Sequence, residues 1–203
     1  MELGRRERKK QQTRQAISHV ATTLFLERGF DAVTVAEVAR AADVAVQTVF
    51  NHFPAKEDLL FDEPGWWRGP AEAIRAAPEG ADPVDVLEAE YLEGIRVRLA
   101  VGHLATWKQF VRTIEGSTAL QARRRLNANE MEAMLAEALE ERAPDPLRNR
   151  LIAALFAAAQ KVLEEELMRI LPDDASSEEL ARVQTELEPT VAQVFAVLRR
   201  GLG

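Results

Sequence analysis

The chain has 203 residues, of which 47% are hydrophobic and 29% are charged, so it is long enough and apolar enough to fold around a buried core. It contains no cysteine, which excludes disulfides and thiolate chemistry, and it has no run of about 18 apolar residues that would cross a bilayer. The net charge is -7, yet nine Lys/Arg against six Asp/Glu make residues 1–56 basic and leave the remainder acidic.

The first predicted helix follows a basic segment. Six Arg and Lys side chains lie within residues 5–14. Those from Arg5 to Lys10 form a basic arm that is expected to meet the phosphates or the minor groove of DNA, although it could instead be a solvated tail. Apolar side chains then recur at the 3-4 spacing of one helix face. This stripe consists of Thr13, Ala16, Ile17, Val20, Ala21, Leu24 and Phe25. Gly29 is expected to end the helix in the left-handed conformation.

Two short helices joined by a tight turn come next. Thr34 is expected to cap a helix over residues 35–41, with Glu37 completing a capping box. A further helix over 46–52 ends before Pro54, which disfavours helix at the residue preceding it. Together with the first helix they form a predicted three-helix unit with a helix-turn-helix.

The rest of the chain is predicted to be helical, so the fold class is all-α with little or no sheet. The chain restarts at 56–61, is interrupted at 64–65, and resumes toward residue 77 before a loop over 78–83. Long helices are predicted over 83–101, 103–115, 118–142, 146–171 and 177–200. Pro189 lies inside the last one and should kink or split it.

The third helix carries the side chains expected to read DNA. Its apolar positions among Val49, Phe50 and Phe53 would seat it on the first two helices, and the outward positions would then face a major groove. These outward residues are Val46, Gln47 and Asn51. Gln and Asn amides pair bidentately with adenine, and valine can touch a thymine methyl. Thr48, His52 and Lys56 are expected to contact the DNA backbone and so fix the position of the protein along the duplex.

The segment from Thr34 to Leu60 resembles the TetR family of repressors, in which a helix-turn-helix runs into an ending "aromatic-x-His/Tyr-Phe-x-x-Lys-x-x-Leu". Here that ending reads Phe-Asn-His-Phe-Pro-Ala-Lys-Glu-Asp-Leu over residues 50–59, and residues 24–34 are similar to the family's first-helix exit. The resemblance implies a DNA-binding domain over 1–55 and a larger helical effector-binding and dimerisation domain over 56–203. It also implies base reading by Val46, Gln47 and Asn51, and phosphate contacts from Thr34, Thr48, His52 and Lys56.

Two positions of this motif depart from the family. The family usually has Tyr where Phe50 stands, so Phe50 keeps its place in the DNA-binding set but a hydroxyl bond to a phosphate is lost. It often has Ser where Ala45 stands, so the third helix loses a cap worth about 1 kcal/mol. Asp43 is expected to compensate in part.

The last two long helices are predicted to pair two copies of the chain. Their broad apolar faces suit a four-helix interface between subunits, although both faces could instead pack inward within one chain. The residues concerned are Leu147, Leu151, Leu155, Phe156, Ala159, Leu163, Leu167 and Ile170 on one helix and Leu180, Val183, Leu187, Val191, Val194, Phe195 and Leu198 on the other.

Large aromatic and methionine side chains between the two ends of the chain are the candidates for an effector pocket, as the family resemblance implies. Such side chains suit an apolar or amphipathic ligand, although at helical spacing they also form ordinary core. The candidates are Trp66, Trp67, Tyr91, His103, Trp107, Phe110, Met131 and Met134.

The sequence therefore predicts a cytoplasmic, homodimeric repressor that a small effector releases from operator DNA. Catalysis is not expected, because the three histidines lie far apart and no phosphate-binding loop or metal-ligand spacing is present; no cofactor or metal is expected either. The alternative hypothesis is a helical protein–protein adaptor that does not bind DNA.

Overall fold

The computed structural model describes residues 4–62, 65–99, 104–172 and 176–202. Within these ranges the chain forms nine α-helices and one 3₁₀ turn, Glu57–Leu59, without any β-strand, which confirms the all-α prediction. None of the helices in these ranges is long and apolar enough to cross a membrane. The helices are α1 (Arg5–Arg28), α2 (Val35–Ala41), α3 (Val46–His52), α4 (Gly65–Ala76), α5 (Pro83–Leu99), α6 (Leu104–Glu115), α7 (Thr118–Arg142), α8 (Pro146–Ile170) and α9 (Ser177–Gly201).

The chain divides into two compact units. Unit 1 comprises residues 1–64 and 109–124, and unit 2 comprises residues 65–108 and 125–203. Unit 1 extends past residue 55 because the apolar side chains of Leu59, Leu60 and Phe61 are buried. The division at residue 55 into a DNA-binding domain and an effector-binding and dimerisation domain was predicted from the family resemblance, and it stays a prediction.

Unit 1 is built around the buried face of α1. Ile17, Ala21 and Phe25 are fully buried there, four residues apart as one helix face requires. α2 and the 3₁₀ turn both pack against α1, and α3 packs against α2. The ring of Phe110 lies 6.1 Å from that of Phe61, centroid to centroid, so the second half of α6 belongs to this unit.

Unit 2 has one core, in which α5 packs against α4, α8 and α9. Three aromatic rings meet in it: the ring of Phe195 lies 6.2 Å from that of Phe156 and 6.3 Å from that of Tyr91. α4 and α5 approach closely at Gly69, where a Cβ would come within 2.4 Å of a carboxylate oxygen of Glu90.

Three details differ from the sequence predictions. α1 begins at Arg5, so the basic arm is helical and is continuous with the apolar stripe. Gly29 has the expected positive φ of 85°, but its ψ of 148° places it outside the left-handed helical region, in a conformation open to glycine alone. α9 continues through Pro189 as one helix and is not split.

Candidate DNA-binding surface

The helix-turn-helix begins with a capping box at α2. Thr34 Oγ1 accepts a hydrogen bond of 3.2 Å from the backbone N–H of Glu37, while Glu37 Oε2 accepts bonds of 2.8 Å from both the backbone N–H and the hydroxyl of Thr34. The predicted capping box is therefore confirmed. Because Glu37 uses both donors of Thr34, this threonine fixes the start of α2 and has no donor left for a phosphate.

Glu37 also joins α2 to the end of α1. Its Oε1 accepts a bond of 2.8 Å from the guanidinium of Arg28, an ion pair that the sequence analysis did not identify. The backbone N–H of Thr34, followed by Arg28 and the Thr34 hydroxyl, lowers the pKa of Glu37 from 4.5 to about 2. A carboxyl group with a lower pKa in the folded state stabilises the fold above its unfolded pKa, and that stabilisation is lost as pH falls through the folded pKa.

We expect Thr34→Ala to lower the free energy of unfolding by about 1 kcal/mol at neutral pH. The variant should also lose less stability than the wild type as pH falls below 4.5, because the pKa of Glu37 moves back toward its ordinary value. Urea unfolding of both proteins between pH 3 and pH 7 measures this. Thr23→Ala, at an exposed threonine inside α1, is the control. Equal losses for the two variants at every pH would contradict the capping role.

A tight turn with one strained residue joins α2 to α3. Asp43 has φ +53°, in the left-handed region, and the N–H of Val44 donates to the carbonyl of Ala39 over 2.9 Å. Ala45 stands at the N-cap of α3, where no side chain accepts a hydrogen bond. The expectation that Asp43 would compensate for Ala45 is therefore wrong, and α3 begins without a side-chain cap.

The two faces of α3 differ sharply in burial. Val49, within the helix, and Phe53, directly after it, are each 1% exposed and seat the helix on its unit. Phe50 is 44% exposed, so the expectation that it helps to seat α3 is wrong. It lies instead on the outward face with the predicted base-reading residues Val46, Gln47 and Asn51, all of which are exposed.

A hydrogen bond organises this outward face. Gln47 Nε2 donates to Asn51 Oδ1 over 3.1 Å, as the spacing of four residues on a helix allows. Gln47 Oε1, its second amide proton and the Asn51 amide protons take no part in this bond. The pair thus offers one acceptor and several donors from a fixed arrangement, which is the combination that the major-groove edge of adenine requires.

Thr48 and His52, predicted to contact the DNA backbone, lie half-buried at the edge of α3. Partial burial, then the positive charges of Arg14 and Lys10, lower the pKa of His52 below 6.5, against a smaller opposite effect of Asp62. The lowered pKa favours the neutral form of the imidazole. It can donate one N–H to a phosphate but adds no full positive charge.

Lys56, also predicted to contact phosphate, lies just after the helix-turn-helix and contacts Phe30. Its Nζ donates to the carbonyl of Phe30 over 2.6 Å and lies 4.1 Å from the centroid of the Phe30 ring. Partial burial lowers the pKa of Lys56, while the carboxylates of Asp31, Glu57 and Glu37 act in the opposite direction. An ammonium group has three N–H donors, so two remain for a phosphate.

Arg14, the next basic residue after the arm, is engaged within unit 1. Its Nε donates to Asp62 Oδ1 over 2.6 Å, and its Nη1 donates to the carbonyl oxygen of His52. The guanidinium carbon lies 4.2 Å from the centroid of the Phe53 ring. The sequence analysis missed these contacts, because the partners lie about 40 to 50 residues away and no local pattern marks them.

The predicted effector-pocket residues are not all brought together. Tyr91 and Met131 are buried in the core of unit 2, and three others pack against that core: Trp67, Trp107 and Met134. Phe110 belongs to unit 1. His103 and the side chain of Trp66 lie outside the part of the chain that the structure describes. A groove of about 270 Å³ on unit 2 lies between α5 and α9, and none of the predicted pocket residues lines it.

Most of the apolar faces predicted for dimerisation are filled within one chain. The core of unit 2 contains Phe156, Leu163 and Leu167 of α8 and nearly all of the residues named on α9. A different side of α8 carries apolar side chains at the surface, spaced at four, three, four and four residues. This exposed α8 stripe consists of Leu147, Leu151, Ala154, Ala158 and Val162.

The described residues contain no cluster of three or more His, Asp or Glu side chains that could hold a metal ion.

Three comparisons place these features among known proteins. The family profile described as "Bacterial regulatory proteins, tetR family" matches residues 17–62. The HTH-type transcriptional regulator TcmR of Streptomyces glaucescens is 28% identical over 97% of this chain and 91% of its own length.

Solved structures share the fold. NalD, described as the secondary repressor of the MexAB-OprM multidrug efflux pump in Pseudomonas aeruginosa, superposes with a TM-score of 0.52 and 22% identity over 88% of this chain and 96% of its own. A putative transcriptional regulator from Pseudomonas aeruginosa PAO1 superposes with a TM-score of 0.57 and 20% identity over 95% of each chain. At these identities the structures establish the fold alone.

Proposed function

The chain belongs to the TetR family of bacterial regulatory proteins, which are non-enzymatic DNA-binding transcriptional regulators, and we propose that it is a repressor released from its operator by a small apolar or amphipathic effector. Family membership confirms the prediction of a DNA-binding regulator that is not an enzyme, and it does not favour the adaptor hypothesis. Because the operator would lie on bacterial DNA, we place the protein in the cytoplasm.

The observation that carries the proposal is the outward face of α3. Four side chains stand exposed there on a helix anchored from behind, and two of them are amides joined in a fixed pair. We propose that Gln47 and Asn51 read adenine edges and that Val46 and Phe50 contact thymine methyls, because apolar side chains at 40% and 44% exposure gain from that burial. Thr48, His52 and Lys56 would fix the register on the phosphates.

Fluorescence anisotropy tests this function directly. The protein is titrated against the duplex upstream of its own gene and against a scrambled duplex of the same composition, from 50 to 200 mM salt. Tighter binding to the upstream duplex by about 10³ or more, with a steep salt dependence, is the expected result. If the two duplexes bind equally, selection from a random-sequence library follows, and failure of that selection to find any preferred site would overturn the proposal.

We propose that two copies of the chain pair through the exposed α8 stripe together with α9. An exposed apolar row of this length favours a partner, and a two-fold copy would oppose it with the same row. Small side chains at Ala181, Pro189 and Ala192 are exposed along α9 and would allow close approach of the second copy. Such a dimer would present two copies of α3 to successive major grooves, about 34–36 Å apart.

Val162→Glu is expected to convert the dimer to a monomer. Val162 is 52% exposed in one chain, so burying the rest of it in the interface contributes about half of the value for full burial, or about 0.8–1.5 kcal/mol for each of its two copies. Sedimentation velocity across a concentration series measures the shift. Val97→Glu on α5, at a valine that is 56% exposed, places the same charge away from the stripe and should leave the dimer intact. Equal dissociation by both variants, or by neither, would argue against this interface.

The core of unit 2 offers the chemistry for an effector. Trp67, Trp107 and Met134 are only partly buried against it, so their outer faces could contact an apolar ligand. Asn127 lies on the same face of α7 as Met131 and Met134; it is 1% exposed, and its amide has no hydrogen-bond partner within the described residues. A buried unsatisfied amide is costly, so a polar group on the effector would be favoured there. Sequence analysis missed Asn127, which no motif marks.

Release from DNA would follow from a population shift. An effector that binds one dimer conformation better than the other shifts the equilibrium by its difference in affinity, and a typical coupling of about 1–3 kcal/mol weakens operator binding about 5- to 150-fold. The interruption predicted at residues 64–65 lies partly outside the described residues, since Pro64 is not among them. Anisotropy of the operator complex in the presence of candidate apolar compounds measures the coupling.

A further inference from the structure

The recognition helix α3 has few attachments of its own. It is seven residues long, and it begins at Ala45 without a side-chain cap. Among its residues, Val49 is the buried one. At its other end the carbonyl groups of the last turn have no partners within the helix, as in every α-helix. The position of the outward face therefore depends on contacts made by other elements.

Arg14 supplies such a contact at the C-terminal end of α3. Its guanidinium donates to the carbonyl oxygen of His52, which is one of the orphan acceptors of that helix end. A positive charge there also interacts favourably with the negative end of the helix dipole. The ring of Phe53, directly after the helix, lies under the guanidinium at 4.2 Å, within the range of a cation–π interaction.

The other side of the guanidinium is held by Asp62. The Arg14 Nε and Nη2 atoms both lie 2.6 Å from Asp62 Oδ1, and the Asp62 side chain is 8% exposed. A planar guanidinium with five donors can make these contacts at once, whereas a lysine ammonium cannot match their geometry. Arg14 thus ties together α1, the end of α3 and the segment after the 3₁₀ turn. It also lies outside the residues that the family profile matches, which begin at residue 17.

We propose that Arg14 is a positioning residue for sequence recognition: it fixes the C-terminal end of α3 and makes no contact with DNA phosphate. The six basic residues within 5–14 are then of two kinds. Those nearer the N-terminus attract DNA, and Arg14 determines how accurately α3 meets the bases. Loss of this attachment should affect binding to the preferred duplex and leave nonspecific binding almost unchanged.

The test compares two duplexes: one selected by the wild-type protein from a random-sequence library, and one random duplex of the same length. Arg14→Met is expected to weaken binding to the selected duplex about tenfold or more, to change binding to the random duplex less than about twofold, and to leave the salt slope unchanged. A phosphate contact would instead weaken both duplexes alike and reduce the salt slope by about one. Arg8→Met, at an exposed arginine of the same helix, shows the effect of losing one positive charge.

Two further variants keep the test decisive if Arg14→Met fails to fold. Asp62→Asn should lower the ratio of selected to random affinity, because Arg14 loses its anchor; a phosphate-binding Arg14 would be freed, and the ratio would stay unchanged. Arg14→Lys keeps the charge but not the fork of donors, so the ratio should fall nearly as far as for Arg14→Met. Full retention of selectivity by Arg14→Lys or by Asp62→Asn would overturn the proposal.

The imidazole of His52 provides a readout that is independent of DNA. Partial burial, then the charges of Arg14 and Lys10, lower its pKa, and Asp62 raises it. Nuclear magnetic resonance titration of the three histidines, with His52 assigned from a His52→Gln variant, should show a higher His52 pKa in Arg14→Met and no change in Arg8→Met. An unchanged His52 pKa in Arg14→Met would contradict the placement of the guanidinium at the end of α3.

Discussion

Replacing both Gln47 and Asn51 by alanine is expected to remove most of the preference for a selected operator while leaving binding to random DNA intact. Each bidentate amide–adenine pair contributes about 1–3 kcal/mol of discrimination, so two independent pairs would contribute about 2–6 kcal/mol. The amides are hydrogen-bonded to each other at 3.1 Å, and residues in contact are not additive. The double variant should therefore lose less than the sum of the two single variants.

Anisotropy with the four proteins of this double-mutant cycle, on selected and random duplexes, measures both effects. Gln193→Ala, at an exposed glutamine of α9, is the matched control and should change neither affinity. Lys56→Met should behave differently, weakening both duplexes and lowering the salt slope by about one. If Gln47→Ala and Asn51→Ala weakened selected and random DNA to the same extent, the amide pair would not be the base-reading element.

Phe195→Ala is expected to destabilise unit 2 by about 3–5 kcal/mol, the range for removing a fully buried aromatic side chain. Phe195 is fully buried, and its ring lies 6.2 Å from that of Phe156 and 6.3 Å from that of Tyr91, centroid to centroid. The variant would lose these ring contacts and leave a cavity that neighbouring helices cannot fill without moving.

Urea unfolding followed by circular dichroism at one fixed protein concentration measures this loss, because dimerisation makes apparent stability depend on concentration. Val97→Ala, at a valine that is 56% exposed on α5, is the control and should remain within about 0.5 kcal/mol of the wild type. A loss below about 1 kcal/mol for Phe195→Ala would mean that this cluster is not the centre of the core.

Helix ends were the part of the fold that the sequence predicted best. Thr34 and Ser176 form capping boxes, and Asp145 caps α8 one residue before Pro146, so local side-chain chemistry marks each start. α1 was less predictable, because the basic residues before the apolar stripe carry no periodic signal. No side chain of a helix-capping type marks its start at Arg5.

The face of a short helix was harder to predict. Seven residues make two turns, so Val49, Phe50 and Phe53 all looked suitable for the buried side, and their burial depends on the neighbouring helices. Long-range contacts such as those of Arg14 and Lys56 have no local signature at all. For α8 and α9, hydrophobicity identified apolar residues but not which of them face the same chain and which stay at its surface.

Because α1 is helical from its basic residues onward, added salt has opposite effects on the stability of its first turns and on their attraction for DNA. Arg6 and Lys10 lie four residues apart on one helix face, where like charges destabilise a helix by about 0.2–0.5 kcal/mol. Cations near the N-terminus also oppose the helix dipole. Screening by salt relieves both repulsions and strengthens the first turns of the free protein, while it weakens their attraction for phosphate. The same charges that draw the protein to DNA thus keep its leading helix end less stable until the phosphates neutralise them.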